Sequence, residues 1–447
     1  MKFSNIENND KYYNALRWYA DFLHNKIFYK KPIILGLENI PKNEPIIFTP
    51  NHQNALMDAM IVLCTKKWAP IFLARADIFK NPRLAKLLYF FKILPIFRMR
   101  DGKETLKNND AVFDKTIEIL RKNKILVIYP EANHAGFRRL RQLKKGVARI
   151  AFQAEELNNF NLGVKVIPVG INYQDYYSIQ KSILIHYGKP IALKDYIEQY
   201  TQNPQRTLND FTNNLHQNLK KLVIHINEVD TYEQMLIGLE LFVPLYLKSQ
   251  NKPTDYANWY KGAQQVLELI YEKKEQSEQF YEQLIGNLTD IHIRLQKSNV
   301  TLTELVKPLS IGQSIVRILL TITLLPFYLF GAINNFIPFF IPSLLTRKFP
   351  DKNFHTSVRY ALYLVLFPVF YGIIMLVLAL VGLKWWLLIV YLLLMPITGL
   401  LAVHYVRNFK RVYLHFVYLF HKNSDNILQI KSRLASIKNI FQTLLND

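Results

Sequence analysis

The sequence predicts an α/β protein: a mixed, largely parallel sheet flanked by helices, followed by a helical region and C-terminal transmembrane helices. Three observations carry that prediction. Apolar runs of strand length alternate with helix-periodic stretches through residues 33–198. Polar, helix-periodic sequence fills 199–310. Long stretches without a formal charge follow Arg317. At 447 residues the chain exceeds the roughly 250–300 residues at which a single core stops growing, so more than one domain is expected. Its one cysteine, Cys64, excludes a disulfide framework and any Cys-based zinc or iron–sulfur site.

Residues 1–32 read as an amphipathic N-terminal helix. Trp18, Phe22, Ile27 and Phe28 alternate with Lys26, Lys30 and Lys31, a pattern that suits a membrane interface or packing on the chain's own domain. No signal peptide is expected, because Met1–Asp10 is polar and charges interrupt the apolar pattern that follows. The α/β domain spans 33–198. Within it Pro45–Thr49, Pro70–Ala74, Ile125–Tyr129, Val164–Tyr173 and Ile183–Tyr187 read as strands, and Ala111–Lys122 and Lys145–Leu157 as helices. Strands alternating with helices imply parallel pairing, with polar loops at the strands' carboxyl ends as the natural binding site.

Three apolar stretches follow the helical region: 29 uncharged residues from Ile318, 24 from Tyr360 and 19 from Trp385. About 20 such residues cross a bilayer as a helix. The first contains Pro326, Gly331, Asn334, Asn335, Pro338 and Pro342, so residues 311–346 are expected to form a re-entrant or interfacial hairpin. Residues 359–404 should form two transmembrane helices, and 405–447 a basic helical tail. Arg347, Lys348, Lys352 and Arg359 before these helices, and Arg407, Lys410 and Arg411 after them, are expected to put both flanks, and with them the N-terminal α/β domain, on the cytoplasmic face.

Lys and Arg total 56 against 34 Asp and Glu, a formal net charge of +22. That balance calls for an anionic partner: nucleic acid, an anionic bilayer or a phosphorylated substrate. No nucleic-acid-binding motif accompanies it, which leaves lipid and phosphate.

Chemistry concentrates in four segments. Asn51-His-Gln-Asn-Ala-Leu-Met-Asp58 puts a histidine just after a strand and a carboxylate six residues beyond it. If a helix starts near Asn54, Asp58 lies one turn in and can fold back on His52. A carboxylate on one imidazole nitrogen fixes the tautomer and makes the other nitrogen a better base. Leu94-Pro-Ile-Phe-Arg-Met-Arg-Asp-Gly102 places Arg98 and Arg100 on one face of an extended chain, and arginine forks match phosphate geometry. Ile128-Tyr-Pro-Glu-Ala-Asn-His-Ala-Gly136 follows a buried strand, with Arg138 and Arg139 just beyond. Val166-Ile-Pro-Val-Gly-Ile-Asn172 is an apolar strand with an internal proline.

These four segments, in this order and spacing, resemble the glycerophospholipid acyltransferase family, which includes glycerol-3-phosphate and lysophosphatidate acyltransferases. The resemblance covers roughly residues 30–195 and extends to Gly36–Lys42 and Phe72–Phe79. It implies a general base at His52 with Asp58 as its partner. Arg98, Arg100, Glu131 and the residues around it (Asn54, Asn133, Arg138 and Arg139) would bind the acceptor. An acyl thioester on coenzyme A or acyl carrier protein would be the donor, with no metal, no further cofactor and no covalent enzyme intermediate. The chain departs from the family in two places. Five residues separate His52 from Asp58 where four are commonest; the longer form is similar to a subgroup that includes fungal glycerol-3-phosphate acyltransferases, and so implies glycerol 3-phosphate as acceptor, with lysophosphatidate or another lysophospholipid as the alternative. The family's Pro-Glu-Gly-Thr-Arg block is Pro130-Glu-Ala-Asn-His134 here, so its glycine is replaced by Ala132 and its arginine by His134. A catalytically silent lipid-binding protein is the competing class.

Overall fold

The computed structural model describes residues 6–8, 10–66, 68–97 and 108–446. It divides into two compact units, one formed by residues up to His225 together with Phe349–Tyr360, the other by Ile226–Lys348 and Ala361 onward.

The first unit is built on an eight-stranded sheet. Its strands are β1 (Ile33–Leu35), β2 (Ile46–Pro50), β3 (Ile71–Arg75), β4 (Ile93–Ile96), β5 (Ile125–Val127), β6 (Lys165–Tyr173), β7 (Ile183–Tyr187) and β8 (Ile191–Ala192). The order is β1-β7-β6-β2-β5-β3-β4, with β8 beside β6. All neighbouring pairs are parallel except β6 with β7 and β6 with β8, so the sheet is mixed and mostly parallel. β2 lies between β5 and β6 and is buried throughout. Ile47, Leu126 and Val166 point to one face, into a core completed by Ile117, Phe152 and Phe211. Phe48 points to the other, against Trp68 and Tyr187. Burial on both faces explains the unbroken apolar runs of β2, β5 and β6; each such side chain contributes about 1.5–3 kcal/mol.

The helices of this unit are α1 (Lys11–Phe22), α2 (Leu56–Cys64), α3 (Pro82–Phe90), α4 (Asn108–Arg121), α5 (Gly146–Glu156), α6 (Ile197–Gln202) and α7 (Pro204–Lys220). The helix start expected near Asn54 falls at Leu56. α1 buries Tyr13 and Ala20 and leaves Tyr12 and Trp18 about 70% exposed. Gly170 is required in β6, because a Cβ there would lie 1.9 Å from the Leu222 carbonyl oxygen. That approach lets Asn172 bond both the Leu222 carbonyl and the Ile224 amide.

The second unit is helical: α8 (Tyr232–Ser249), α9 (Tyr256–Gln276), α10 (Glu278–Lys297), α11 (Leu302–Val306), α12 (Ile311–Thr323), α13 (Leu325–Thr346), the body of α14 (His355–Leu380), α15 (Trp385–His421) and α16 (Asp425–Asn446). α8, α9, α10 and α16 pack as a bundle, with Phe242 stacked on Phe441. Among the described residues, three helices are long and apolar enough to cross a membrane: Leu325–Thr346, Lys352–Leu380 and Trp385–His421.

Residues 311–346 differ from the expected hairpin. Arg317 bonds Asn408, Tyr328 stacks on Tyr405 and Asn335 bonds the Met395 carbonyl. Rising numbers in α13 meet falling numbers in α15, so α13 runs antiparallel to α15 without turning back between Leu325 and Thr346, while α12 meets α15 around Asn408. Pro326 sits in the first turn of α13, where a proline costs little, and Pro338 and Pro342 are accommodated inside the helix. The last apolar stretch also continues without a break into the tail, as one 37-residue helix.

Candidate active site

The site lies beyond the carboxyl ends of two neighbouring parallel strands. Phe48 of β2 is in register with Val127 of β5. His52 and Glu131 each follow four residues later, which brings the two motif loops side by side. Asn51 fixes the point where the chain leaves the sheet: its side chain accepts from the Ile171 amide at 2.6 Å and donates to the Ile171 carbonyl at 3.1 Å.

Asp58 stands in the first turn of α2 and is fully buried. Its Oδ2 lies 2.8 Å from His52 Nδ1 and accepts the Gln53 and Asn54 amides at 2.7 Å each. Its Oδ1 accepts the Tyr173 hydroxyl at 2.6 Å. Four donors and a helix N-terminus thus satisfy a carboxylate that would otherwise be costly to bury. With Nδ1 facing Asp58, the ring's other nitrogen, Nε2, has no hydrogen-bond partner among the described residues. Tyr129 stacks on the His52 ring at 4.2 Å, and the His134 ring stands edge-on to it at 5.5 Å.

Glu131 braces this arrangement. Oε1 accepts the His52 amide at 2.7 Å and Oε2 the Arg141 amide at 2.9 Å. Burial pushes its carboxyl up to about 7, against the lowering effect of those two bonds. Ala132, where a glycine is usual, takes the left-handed φ of +60°. Burial and the neighbouring His52 lower the pKa of His134, whose Nε2 lies 3.5 Å from Asp351.

The expected acceptor-binding residues sort into three groups. Asn54 and Arg138 are engaged with backbone: Asn54 Nδ2 donates to the Tyr176 carbonyl, and Arg138 Nη2 to those of Tyr173 and Gln174. Glu131, with both oxygens on amides, likewise positions a loop. The side chains of Asn133 and Arg139 make no hydrogen bond or ion pair among the described residues. Arg98 and Arg100 lie outside the described residues. β4, which precedes them, is three strand positions from β2, on the order of 14 Å at ordinary strand spacing.

Sequence reasoning missed Tyr129, Tyr173 and the segment Phe349–Tyr360. Tyr129 and Tyr173 sit at the ends of strands that were recognised, and their position there was the available signal. The distant segment offered none, yet Phe354 packs edge-on against His134 at 4.5 Å and Asn353 fills the space beside Gly136.

Residues 31–172, about a third of the chain, match the family model described as Acyltransferase. Two relatives are similar over part of the chain. A 1-acyl-sn-glycerol-3-phosphate acyltransferase of Borreliella burgdorferi is 25% identical over 163 residues, covering 36% of this chain and 59% of the relative. A chloroplastic 1-acyl-sn-glycerol-3-phosphate acyltransferase of Arabidopsis thaliana is 28% identical over 145 residues, covering 32% of this chain and 36% of the relative. The chain thus matches less than two thirds of either relative's length. Among solved structures, the 1-acyl-sn-glycerophosphate acyltransferase PlsC of Thermotoga maritima aligns with a TM-score of 0.33 and 18% identity, covering 46% of this chain and 79% of that one.

Proposed function

We propose that the protein is a membrane-bound acyltransferase of phospholipid synthesis, moving a fatty acyl group from an acyl thioester to the hydroxyl of a glycerol phosphate. The observation that carries this reading is the His52 Nδ1–Asp58 Oδ2 contact of 2.8 Å at the end of a central parallel strand. His52 Nε2 takes the acceptor's hydroxyl proton as the oxygen forms its bond to the thioester carbonyl carbon. Asp58 stabilises the imidazolium. The tetrahedral intermediate then collapses, the carbon–sulfur bond breaks and the proton passes from His52 to the leaving thiolate. Arg139 and Asn133 are the described side chains free to meet the acceptor's phosphate. The donor is acyl-CoA or acyl-acyl carrier protein, and no metal or further cofactor takes part.

The five-residue spacing between His52 and Asp58 favours glycerol 3-phosphate as acceptor. The names of both relatives favour the second reading, 1-acylglycerol 3-phosphate. The basic residues Arg347, Lys348, Lys352 and Arg359 favour a cytoplasmic catalytic unit. Detergent-purified protein given labelled acyl thioester with glycerol 3-phosphate, 1-acylglycerol 3-phosphate or neither decides between acceptors: incorporation only with 1-acylglycerol 3-phosphate selects the second reading. In the same assay His52→Ala should lose on the order of 10²–10⁴ in rate while remaining folded. Near-normal turnover in that variant would remove His52 from the mechanism.

A further inference from the structure

The helix that carries Asp58 lacks a cap of its own. Leu56 opens α2, and its amide is among the four that a helix leaves without an internal partner. The preceding Ala55 has no side-chain acceptor and sits at φ +42°, ψ −120°, a conformation an alanine rarely adopts. The cap comes from about 300 residues away: Ser357 Oγ accepts the Leu56 amide at 3.0 Å and donates to the Asn54 carbonyl at 3.3 Å. One hydroxyl therefore closes the turn between the His52 loop and the helix of Asp58. Its neighbours tie the same segment to the β6–β7 loop. Thr356 Oγ1 donates to the Tyr176 carbonyl at 2.8 Å, and Arg359 Nη2 to that of Tyr177 at 2.6 Å. The Asn54 side chain meets the same Tyr176 carbonyl, and the Tyr176 hydroxyl bonds Gln53. Thr356 and Ser357 are both buried.

We propose that Ser357 is a positioning residue for the His52–Asp58 pair, so that the acyltransferase site is completed by a segment lying far outside residues 31–172. This deepens the acyltransferase reading and rests on it wherever turnover is measured. Ser357 bonds neither the His52 ring nor the Asp58 carboxylate; it acts through the strained turn at Ala55. Its loss should loosen the base–carboxylate geometry and leave substrate contacts intact.

The test compares Ser357→Ala, Ser357→Thr and Ser357→Cys in the full chain. The alanine variant should lower kcat about tenfold to a hundredfold, the scale of a small misplacement of reacting groups, with both KM values within about twofold of normal. Threonine, which keeps the hydroxyl, should restore most of the rate, and cysteine should fall between. Hydrogen–deuterium exchange of the full chain supplies a readout independent of turnover. Amides of residues 53–58 should exchange faster in Ser357→Ala while those of α5 stay unchanged. Normal kcat in Ser357→Ala, or no rescue by threonine, would overturn the proposal. If the alanine variant is lost to unfolding, the cysteine variant carries the same comparison. Should the wild-type protein transfer no acyl group to any acceptor, the functional reading fails, and the exchange pattern still decides whether Ser357 holds the turn.

Discussion

Asp58 shows how much of the site is settled by single contacts. The Tyr173 hydroxyl is the only side-chain donor among the described residues besides His52 that reaches this carboxylate. A hydrogen bond to a charged group is worth about 1.5–3 kcal/mol. Tyr173→Phe should therefore destabilise the fold by about that amount and lower kcat roughly tenfold, read by thermal unfolding and initial rates. Glu131 gives the site a pH signature. Its carboxyl is raised from 4.5 to about 7 when folded, so the folded state binds the extra proton and stability falls as pH rises from about 4.5 through 7. Glu131→Gln should flatten that decline, measured as the difference in Tm between pH 5 and pH 7.5. His52 and Asp58 were legible because both lie in one short segment whose geometry follows from a strand end and a helix start. Tyr173 was not, because its contact with Asp58 spans 115 residues. Glu131 was legible as a site residue, but its role was not: the two amides that occupy it come from separate loops.

Among the elements, α13 and α15 depend on close approach. A Cβ on Gly331 would lie 2.3 Å from the Thr398 carbonyl oxygen, and Asn335 donates to the Met395 carbonyl while accepting the Tyr371 hydroxyl. Small residues and interhelical hydrogen bonds are what hold apolar helices together in lipid, where burial of oily side chains gives little preference for protein over acyl chains. Gly331→Leu should separate the pair and cost about 1–3 kcal/mol, the usual range for overpacking, seen as a lower Tm in detergent. Arg411, which in the sequence looks like one of several flanking cations, instead meets the buried Glu304 at 2.5 Å. Hydropathy located these helices but not their full length, since α15 runs past the uncharged stretch to His421. The stretch from 311 to 346 folds as the two helices α12 and α13, because prolines and asparagines that suggest a re-entrant turn also serve a helix packed against a partner, and composition does not name the partner.

At the scale of the whole molecule, the α/β fold and the helical, apolar C-terminal half were readable from composition and periodicity. The boundary of the first unit was not, since a pattern read along the chain has no means of showing that Phe349–Tyr360 returns to a sheet built by residues before His225. That membership makes a prediction about sidedness. Cysteines introduced at the exposed Lys189 and Lys352, with Cys64 replaced by serine, should react with a membrane-impermeant thiol reagent from the same side of sealed vesicles. Labelling from opposite sides would show that the segment does not belong to that unit. The discontinuity also orders events during synthesis. The cap on α2 is made only after the ribosome has translated the intervening residues 226–348, which at about 5–20 residues per second takes about 6–25 s. Through that interval the nascent sheet can form, but the turn at Ala55 stays unlatched. The pair formed by His52 and Asp58 would therefore reach its finished geometry only after the apolar helix α13 has been translated, so that the timing of synthesis sets when this turn is latched.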